Sequence, residues 1–222
     1  MNSKLKSIII NIVLFAVVVF LAIKVIQSIK APIDFSNEKS VREAQIVQRL
    51  KDIRDAEIQY KQANNKYCSN FDSLIDFCNN HMIPIVQTYA DTTDTAYFNA
   101  HSDYRTISDT VDYILVSDSL FGKRANFNVR DLSIVPFSNP STQFEIQDSI
   151  IKRGGISVPV FEVKTPYDVY LSVPGSKFTE KEWNTRVQNA KAEMEQLDKY
   201  AGLKVGSLEE ASTDGNWEKD IL

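Results

Sequence analysis

Two cysteines are the most reactive side chains of this 222-residue chain, and they lie close together in the sequence. Cys68 and Cys78 flank the segment SNFDSLIDF. In an oxidising compartment, such a pair can form one disulfide that closes a short loop, with a stabilisation of roughly 3 kcal/mol on the loop-entropy argument. The alternative is a pair of buried thiols. His81 follows Cys78 closely, but one local cysteine–histidine pair arises often by chance.

Other groups that could perform chemistry are scattered. Five aspartates lie in one polar stretch, without the central glycine and terminal glutamate of a calcium loop: Asp91, Asp94, Asp103, Asp109 and Asp112. The sequence contains no Gly-x-Ser-x-Gly elbow, Walker loop, dinucleotide fingerprint or His-Glu-x-x-His motif. We therefore predict no catalytic residue, no cofactor and no metal site, and we expect a protein that is not an enzyme.

The element that positions the rest of the chain is an apolar segment at residues 8–26, IIINIVLFAVVVFLAIKVI. Nineteen helical residues span about 28 Å, close to the hydrocarbon core of a bilayer. The segment is longer than the apolar part of a cleaved signal and no Ala-x-Ala site follows it, so we predict an uncleaved anchor in membrane lipid. The basic tail, residues 1–7, favours an N-in orientation with the bulk of the chain outside the cytoplasm.

Charge excludes one class of partner. Beyond residue 30 the chain carries 21 basic and 29 acidic side chains. Because nucleic-acid binding needs a basic face that neutralises phosphates, we expect no nucleic-acid partner.

A second, amphipathic helix is predicted over residues 36–64, after a juxtamembrane linker at 27–35 in which Pro32 interrupts the first helix. One stripe of this helix is a candidate interaction face. We expect either packing on its own domain or a coiled coil with a second copy. We place Glu57 at the edge with its carboxylate reaching water; the alternative is a buried carboxylate that pairs with a basic group of a partner. The candidate face comprises Ile46, Val47, Leu50, Ile53, Glu57 and Tyr60.

Strands and turns dominate the region that follows. A short helix is predicted at 70–79, and residues 90–110 have no clear periodicity and are predicted to form a loop. Gly154-Gly155 between two β-branched runs, 143–152 and 156–164, predicts a tight hairpin. Further short strands are predicted at 83–86, 113–117, 132–137 and 167–173.

The last helix has a well-defined start. Thr179 and Glu182 form a capping box, Phe178 and Trp183 suit a hydrophobic staple, and Gly202 is the expected stop. The tail, 203–222, is acidic, and Trp217 within it either docks on the domain or serves as a hook for a partner. The fold class is therefore α+β: a transmembrane helix, an amphipathic helix, then an antiparallel β-sheet with a C-terminal helix, the extracytoplasmic domain spanning 36–202.

The first 75 residues resemble type IV pilins and pseudopilins. The resemblance is carried by the apolar helix continued by an amphipathic one and by spaced residues, namely Leu50, Ile53, Ala56, Tyr60, Asn65-Lys66-Tyr67, Phe71 and Leu74. The sequence lacks the peptidase site and the early glutamate of that family, which implies an unprocessed, pilin-like membrane protein. The downstream segments RDLSIVPFS and GGISVPVFEVKTPYDVYL resemble envelope proteins of Gram-negative bacteria.

Together these features predict a single-pass protein of a Gram-negative inner membrane with a periplasmic, pilin-like domain. Its expected function is a structural or assembly component of an envelope machine, linked to secretion or a pilus. Association with protein partners or with itself would use the amphipathic helix and a sheet edge. The alternative is a membrane-tethered ligand-sensing or solute-binding module, or a regulator of a membrane enzyme. Such a module would have a pocket lined by Tyr97, Tyr104, Tyr113, Tyr167 and Tyr170.

Overall fold

A computed structural model describes residues 3–125 and 127–218, with side chains described from residue 11 onward. Parts of the predicted terminal segments, residues 1–2 and 219–222, lie outside the described residues. The described chain is α+β, with a long apolar N-terminal helix followed by helices and two small sheets. The helices are α1 (Ser3–Asn64), α2 (Phe71–Asn80), α3 (Thr95–His101), α4 (Val116–Phe121), α5 (Tyr167–Tyr170) and α6 (Glu180–Gln196). The strands are β1 (Met82–Asp91), β2 (Arg105–Leu115), β3 (Glu145–Arg153), β4 (Ile156–Pro166) and β5 (Gly202–Gly206).

Helix α1 is continuous over 62 residues. The predicted break at Pro32 and the linker at 27–35 are therefore wrong, as is a separate second helix beginning at residue 36. Proline removes one backbone hydrogen bond and crowds the preceding turn. The helix nevertheless stays continuous, because the backbone hydrogen bonds on both sides of Pro32 are kept. The predicted end at residue 64 is confirmed, and Asn65 follows it with a left-handed φ of 59°.

The chain forms two compact units. Unit 1 comprises α1 up to Ile46, residues 136–139 and residues 166–202. In its core, Phe35 of α1 packs edge-on against Trp183 of α6, with ring centroids 5.1 Å apart. Arg42 is buried as well; its guanidinium donates to the carbonyl oxygens of Tyr170 and Val173 and lies 4.8 Å from the Trp183 ring. The pairing of this arginine explains how a charged side chain is accommodated there.

The local predictions for unit 1 are partly confirmed. Thr179 and Glu182 form the predicted capping box at the start of α6. The ring centroids of Phe178 and Trp183, the two residues of the predicted hydrophobic staple, are 5.5 Å apart. The helix ends at Gln196, earlier than predicted. The strand predicted at 167–173 is wrong, because α5 and a turn occupy that segment.

Unit 2 comprises, among the described residues, 47–125, 127–135, 140–165 and 203–218. It contains a three-stranded sheet with the order β3–β4–β5. Strands β3 and β4 form the predicted antiparallel hairpin, and Gly154 and Gly155 have positive φ values of 57° and 83°, as a tight turn of this kind requires. The strand predicted at 132–137 is wrong: a 3-10 helix, Val129–Leu132, is followed by a single bridge between Ile134 and Gln143.

The start of the segment predicted to be an acidic tail belongs to this sheet, since β5 lies beside β4. A boundary between the two units does fall between residues 202 and 203, but the segment that follows it begins within a strand and not as a tail. Local patterning did not predict β5 because a five-residue strand is stabilised by its neighbour in the sheet rather than by its own propensity.

A second, two-stranded sheet pairs β1 with β2 antiparallel, and α3 lies in their connection. We call residues 82–115 the arm. The loop predicted at 90–110 is wrong, because both strands and α3 occupy most of it.

Candidate functional site

The apolar part of α1 is long enough to cross a membrane. Among the described residues it is the one helix with that length and composition; its most apolar window has a mean hydropathy of 2.6 and no buried residue. Every side chain from residue 11 to residue 30 is exposed. Residues 8–10 of the predicted span have no described side chains. A continuous apolar surface of this size, uncovered by the chain, is the property expected of a membrane anchor.

The arm is exposed on both faces. Side chains of a strand alternate between the two faces of a sheet, yet no residue of β1 or β2 is buried. Large apolar side chains are exposed on each strand, with Tyr89 at 49% and Tyr113 at 60% of full exposure. A two-stranded sheet without a covered face has little hydrophobic stabilisation of its own. This arrangement suits a surface that a partner covers.

Specific contacts hold the arm at its base. The backbone N–H of Val116 donates to the carbonyl oxygen of His81 at 3.0 Å, which joins the two ends of the arm. The register pairs Met82 with Leu115 at the base and Asp91 with Arg105 at the far end. One register shift falls at Ile85/Val86. The flanking helices α2 and α4 contact each other and carry buried apolar residues, so the arm begins from a packed part of unit 2.

The arm is acidic. It contains five aspartates and a single basic side chain of the Lys/Arg type, Arg105. Two of the aspartates cap local structure: Asp91 accepts from the N–H of Thr93, and Asp94 accepts from the N–H of Tyr97 at the start of α3. These acids therefore have structural partners, as expected for loop acids rather than for a cation site.

The predicted interaction face on the amphipathic helix is not available to a partner. Ile46, Leu50, Ile53 and Glu57 are fully buried, and Val47 and Tyr60 are half-buried. Of the two alternatives, packing within the chain is therefore correct and the coiled coil with a second copy is wrong. An apolar stripe on a helix is covered by the nearest apolar surface, and here the same chain supplies it.

Glu57 also differs from the prediction that its carboxylate reaches water. The side chain is 0% exposed, and its Oε2 accepts a hydrogen bond from the backbone N–H of Cys68 at 2.9 Å. Its other oxygen, Oε1, is buried without a hydrogen-bond partner among the described atoms. Burial raises the pKa of Glu57 to about 8, although the Cys68 hydrogen bond acts in the opposite direction. The carboxyl group is thus largely protonated at neutral pH.

Cys68 and Cys78 are both free and buried. The structure therefore contains the pair of buried thiols and not the disulfide. The Cys68 thiol donates to the carbonyl oxygen of Asn70 at 3.1 Å. Burial, with a further contribution from the nearby Glu57 carboxylate, raises the pKa of Cys78 to about 12. A thiol with so high a pKa is a poor nucleophile at neutral pH.

Trp217 docks on unit 2 and is not a free hook. The side chain is half-buried, and its indole Nε1 is buried without a hydrogen-bond partner. Neighbouring bonds hold this segment: Asn216 donates from its backbone N–H to the carbonyl oxygen of Lys204, and Glu218 pairs with Arg54 at 3.1 Å. Gly215 is required, because a Cβ there would lie 2.3 Å from the Trp217 ring.

The five tyrosines proposed to line a pocket do not form one. Tyr97, Tyr104 and Tyr113 belong to the exposed arm, whereas Tyr167 and Tyr170 are buried in unit 1. Tyr170 donates to the Glu43 carboxylate at 2.9 Å, which is a core contact. In unit 1, recesses of about 140 Å³ and about 600 Å³ lie beside Lys177 and beside Gln188, and in unit 2, recesses of about 380 Å³ and about 460 Å³ lie beside Phe77 and beside Arg130. None of these four recesses is lined by any of the five tyrosines.

No group of three or more His, Cys, Asp or Glu side chains is placed to hold a metal ion within the described part of the chain. His81 is exposed and stacks on Phe77, with ring centroids 4.6 Å apart. The arm is the feature that sequence reasoning missed. Its signal was the β-branched content of residues 105–111, RTISDTV, which was outweighed by the surrounding aspartates and threonines.

Comparison of the chain with protein-family models, with curated proteins and with solved structures found no match.

Proposed function

We propose that this chain is a single-pass inner-membrane protein of a Gram-negative bacterium whose periplasmic part is a structural or assembly component of an envelope machine. In this proposal α1 holds the protein in the bilayer and the arm binds a protein partner. The machine is of the secretion or pilus-like kind that the N-terminal resemblance suggests.

The exposed arm is the observation that carries this proposal. Ile85, Tyr89 and Tyr113 are each more than 40% exposed on strands without a buried face. Exposed apolar side chains cost free energy in water, and a surface of this kind is typical of protein–protein contacts. The contiguous α1, which joins an apolar segment to an amphipathic one, supports the pilin-like resemblance.

Site-specific photocrosslinking in the native membrane tests the proposal. A benzoylphenylalanine at Tyr113 on the arm is expected to capture a second copy or an envelope assembly protein, identified by mass spectrometry. The matched control carries the same group at Leu197, which is 57% exposed in unit 1. Because an exposed side chain without a partner meets proteins only by collision, Leu197 should yield much less adduct. Recovery of only the uncrosslinked monomer, with the photocrosslinking group at Tyr113, would overturn the proposal.

A variant without the arm provides a second test. Residues 83–114 are replaced by a short Gly-Ser turn between Met82 and Leu115, which are cross-strand partners. Because no residue of β1 or β2 is buried, unit 2 is expected to fold without the arm and the crosslinked partner to be lost. Retention of the same partner by the shortened chain would contradict the role given to the arm.

A further inference from the structure

We infer that β1 is the edge through which two copies of this chain pair, as antiparallel strands, into a four-stranded sheet with the order β2–β1–β1–β2. This inference rests on the proposed role of the arm as an interaction surface, and it adds the identity of the partner. It follows from the free edges of the arm, from the charges along each strand and from the residues that a two-fold axis would bring together.

Each strand of the arm has one edge without a strand partner among the described residues, since the sheet has the order β1–β2 and no third member. An edge of this kind presents backbone N–H and C=O groups that another strand can pair with. Strand β1 has ten residues and runs the full length of the arm. Because Pro84 has no backbone N–H to donate, the continuous template is the segment beyond it, residues 85–91.

Charge distinguishes β1 from the other edge strands. Residues 82–90 carry no charged side chain, and Asp91 stands only at the end of the strand. Strand β2 contains Arg105, Asp109 and Asp112. In the other sheet, the outer strand β3 contains four charged residues in nine, and the second outer strand, β5, contains Lys204. Charged side chains on outer strands prevent unwanted pairing between sheets. Strand β1 lacks these charges, whereas both β2 and β3 have them, and its one edge-blocking residue, Pro84, lies near its start, outside residues 85–90.

A second copy suits this edge because β1 is complementary to itself. In an antiparallel pair about a two-fold axis at Gln87, Ile85 of one copy lies opposite Tyr89 of the other, and Val86 lies opposite Thr88. Ile85 and Tyr89 are 42% and 49% exposed, and alternation places both on one face of the strand. Pairs of an aromatic with a β-branched residue are favourable across strands. No two like charges face each other, because Asp91 falls opposite Ile83.

The acids of the arm do not oppose this arrangement. Asp109 and Asp112 lie on β2, which becomes the outer strand of the joint sheet. With neighbouring strands about 4.8 Å apart, the two copies of β2 are about 14 Å from each other, beyond the screening length at physiological salt. Pairing through β2 would instead bring these aspartates together. The distribution of charge therefore favours pairing through β1 over pairing through β2.

Cysteine crosslinking of the full-length protein in its native membrane tests the pairing. Gln87→Cys places one thiol from each copy next to the axis, at the spacing of a cross-strand pair. After mild oxidation, we expect a disulfide-linked dimer on a non-reducing gel. The control is Ser149→Cys, also exposed but on the charged strand β3, for which we expect at least about tenfold less dimer. The unmodified chain, whose own cysteines are buried, sets the background.

The register predicts a pattern of crosslinks. Ile85→Cys alone and Tyr89→Cys alone should give little dimer, because each thiol lies about 13 Å from its own copy along the strand. Co-expression of these two variants should give the mixed dimer. Val86→Lys with Thr88→Lys places like charges opposite each other and should reduce the Gln87→Cys dimer severalfold. Ser108→Lys with Thr110→Lys, on β2, should leave it unchanged.

Equal crosslinking from Gln87→Cys and Ser149→Cys, or none above background from Gln87→Cys, would overturn the pairing. In that case the photocrosslink at Tyr113 distinguishes failure of the pairing from failure of the proposed function. Capture of a different protein there would leave the role of the arm intact and refute only the second copy. Capture of nothing would refute both.

Discussion

The carboxyl group of Glu57 lies where the sequence placed an apolar stripe, with Oε2 bonded to the backbone and Oε1 without a partner. Desolvation disfavours its charged form, so the folded chain holds a proton that the unfolded chain releases. Burial acts similarly on the Cys78 thiol, whose pKa rises to about 12. Both groups are neutral at physiological pH, which is how this core accommodates them.

Stability is expected to depend on pH through Glu57. Its folded pKa of about 8 lies above the ordinary value of 4.5, so its stabilising contribution is complete below pH 4.5. As pH rises towards 8, the folded state retains a proton that the unfolded state has lost, and the free energy of unfolding falls by about 1.4 kcal/mol per pH unit. Glu57→Gln should remove most of this slope. Thermal unfolding of the detergent-solubilised protein at pH 5 to 8.5, followed by circular dichroism, measures it.

The control for this prediction is Glu209→Gln, which removes an exposed carboxylate from the same unit. In that variant, the free energy of unfolding should depend on pH as it does in the natural chain. A Glu57→Gln variant with an unchanged slope would show that the group responsible lies elsewhere.

Among the secondary-structure elements, β5 illustrates how a short segment is specified by its neighbours. It has five residues, and Val205 in it is fully buried. Beyond it, Gly206 donates from its backbone N–H to the carbonyl oxygen of Asp214 at 3.0 Å, which folds the following segment back on the strand. The first residues of what resembles an acidic tail in the sequence, Leu203 and Val205, therefore belong to the core of unit 2.

Truncating the β5 core should destabilise unit 2. Val205→Ala removes two buried methyl groups and leaves a cavity, at a cost of about 2 kcal/mol in the free energy of unfolding. The matched control is Val111→Ala on the arm, where the side chain is 56% exposed and the change should stay within about 0.5 kcal/mol. Denaturant titration of both variants compares them. Equal losses would contradict the placement of β5 in the core.

For the whole molecule, the division of the chain matters most. Unit 1 contains the part of α1 that can cross a membrane, whereas unit 2 contains the arm. The proposal of an inner-membrane protein with the arm in the periplasm makes a topological prediction that does not depend on the identity of any partner.

Labelling of Ser108→Cys tests this topology. Ser108 is exposed on β2, and the natural cysteines are buried. In cells with a permeabilised outer membrane and an intact inner membrane, a membrane-impermeant maleimide should label the new thiol, because a periplasmic thiol is accessible to it. The unmodified chain should remain unlabelled. Labelling that requires lysis of the inner membrane would place the arm in the cytoplasm and contradict the proposal.

Local signals predicted part of this architecture well. The apolar run of α1, the end of that helix at residue 64, the helix α2, the Gly154-Gly155 hairpin and the capping box of α6 all depend on contacts between residues close in sequence. Each rests on a backbone preference or a neighbouring hydrogen bond that the sequence shows directly.

The remaining features depend on contacts between residues far apart in the chain, which periodicity does not reveal. The amphipathic stripe of α1 suited a partner as well as a core, and only the folded chain showed that its own residues cover it. The same holds for Glu57, whose protonation follows from burial, and for the strands of the arm, whose polar residues suggested a loop. The sequence of this protein thus indicated the apolar segment of α1, the end of that helix, the start of α6 and the Gly154-Gly155 turn. Beyond the apolar segment of α1, tertiary structure decided which apolar surfaces are buried and that the arm stays exposed, because burial is settled by the surface that each residue meets in the folded chain.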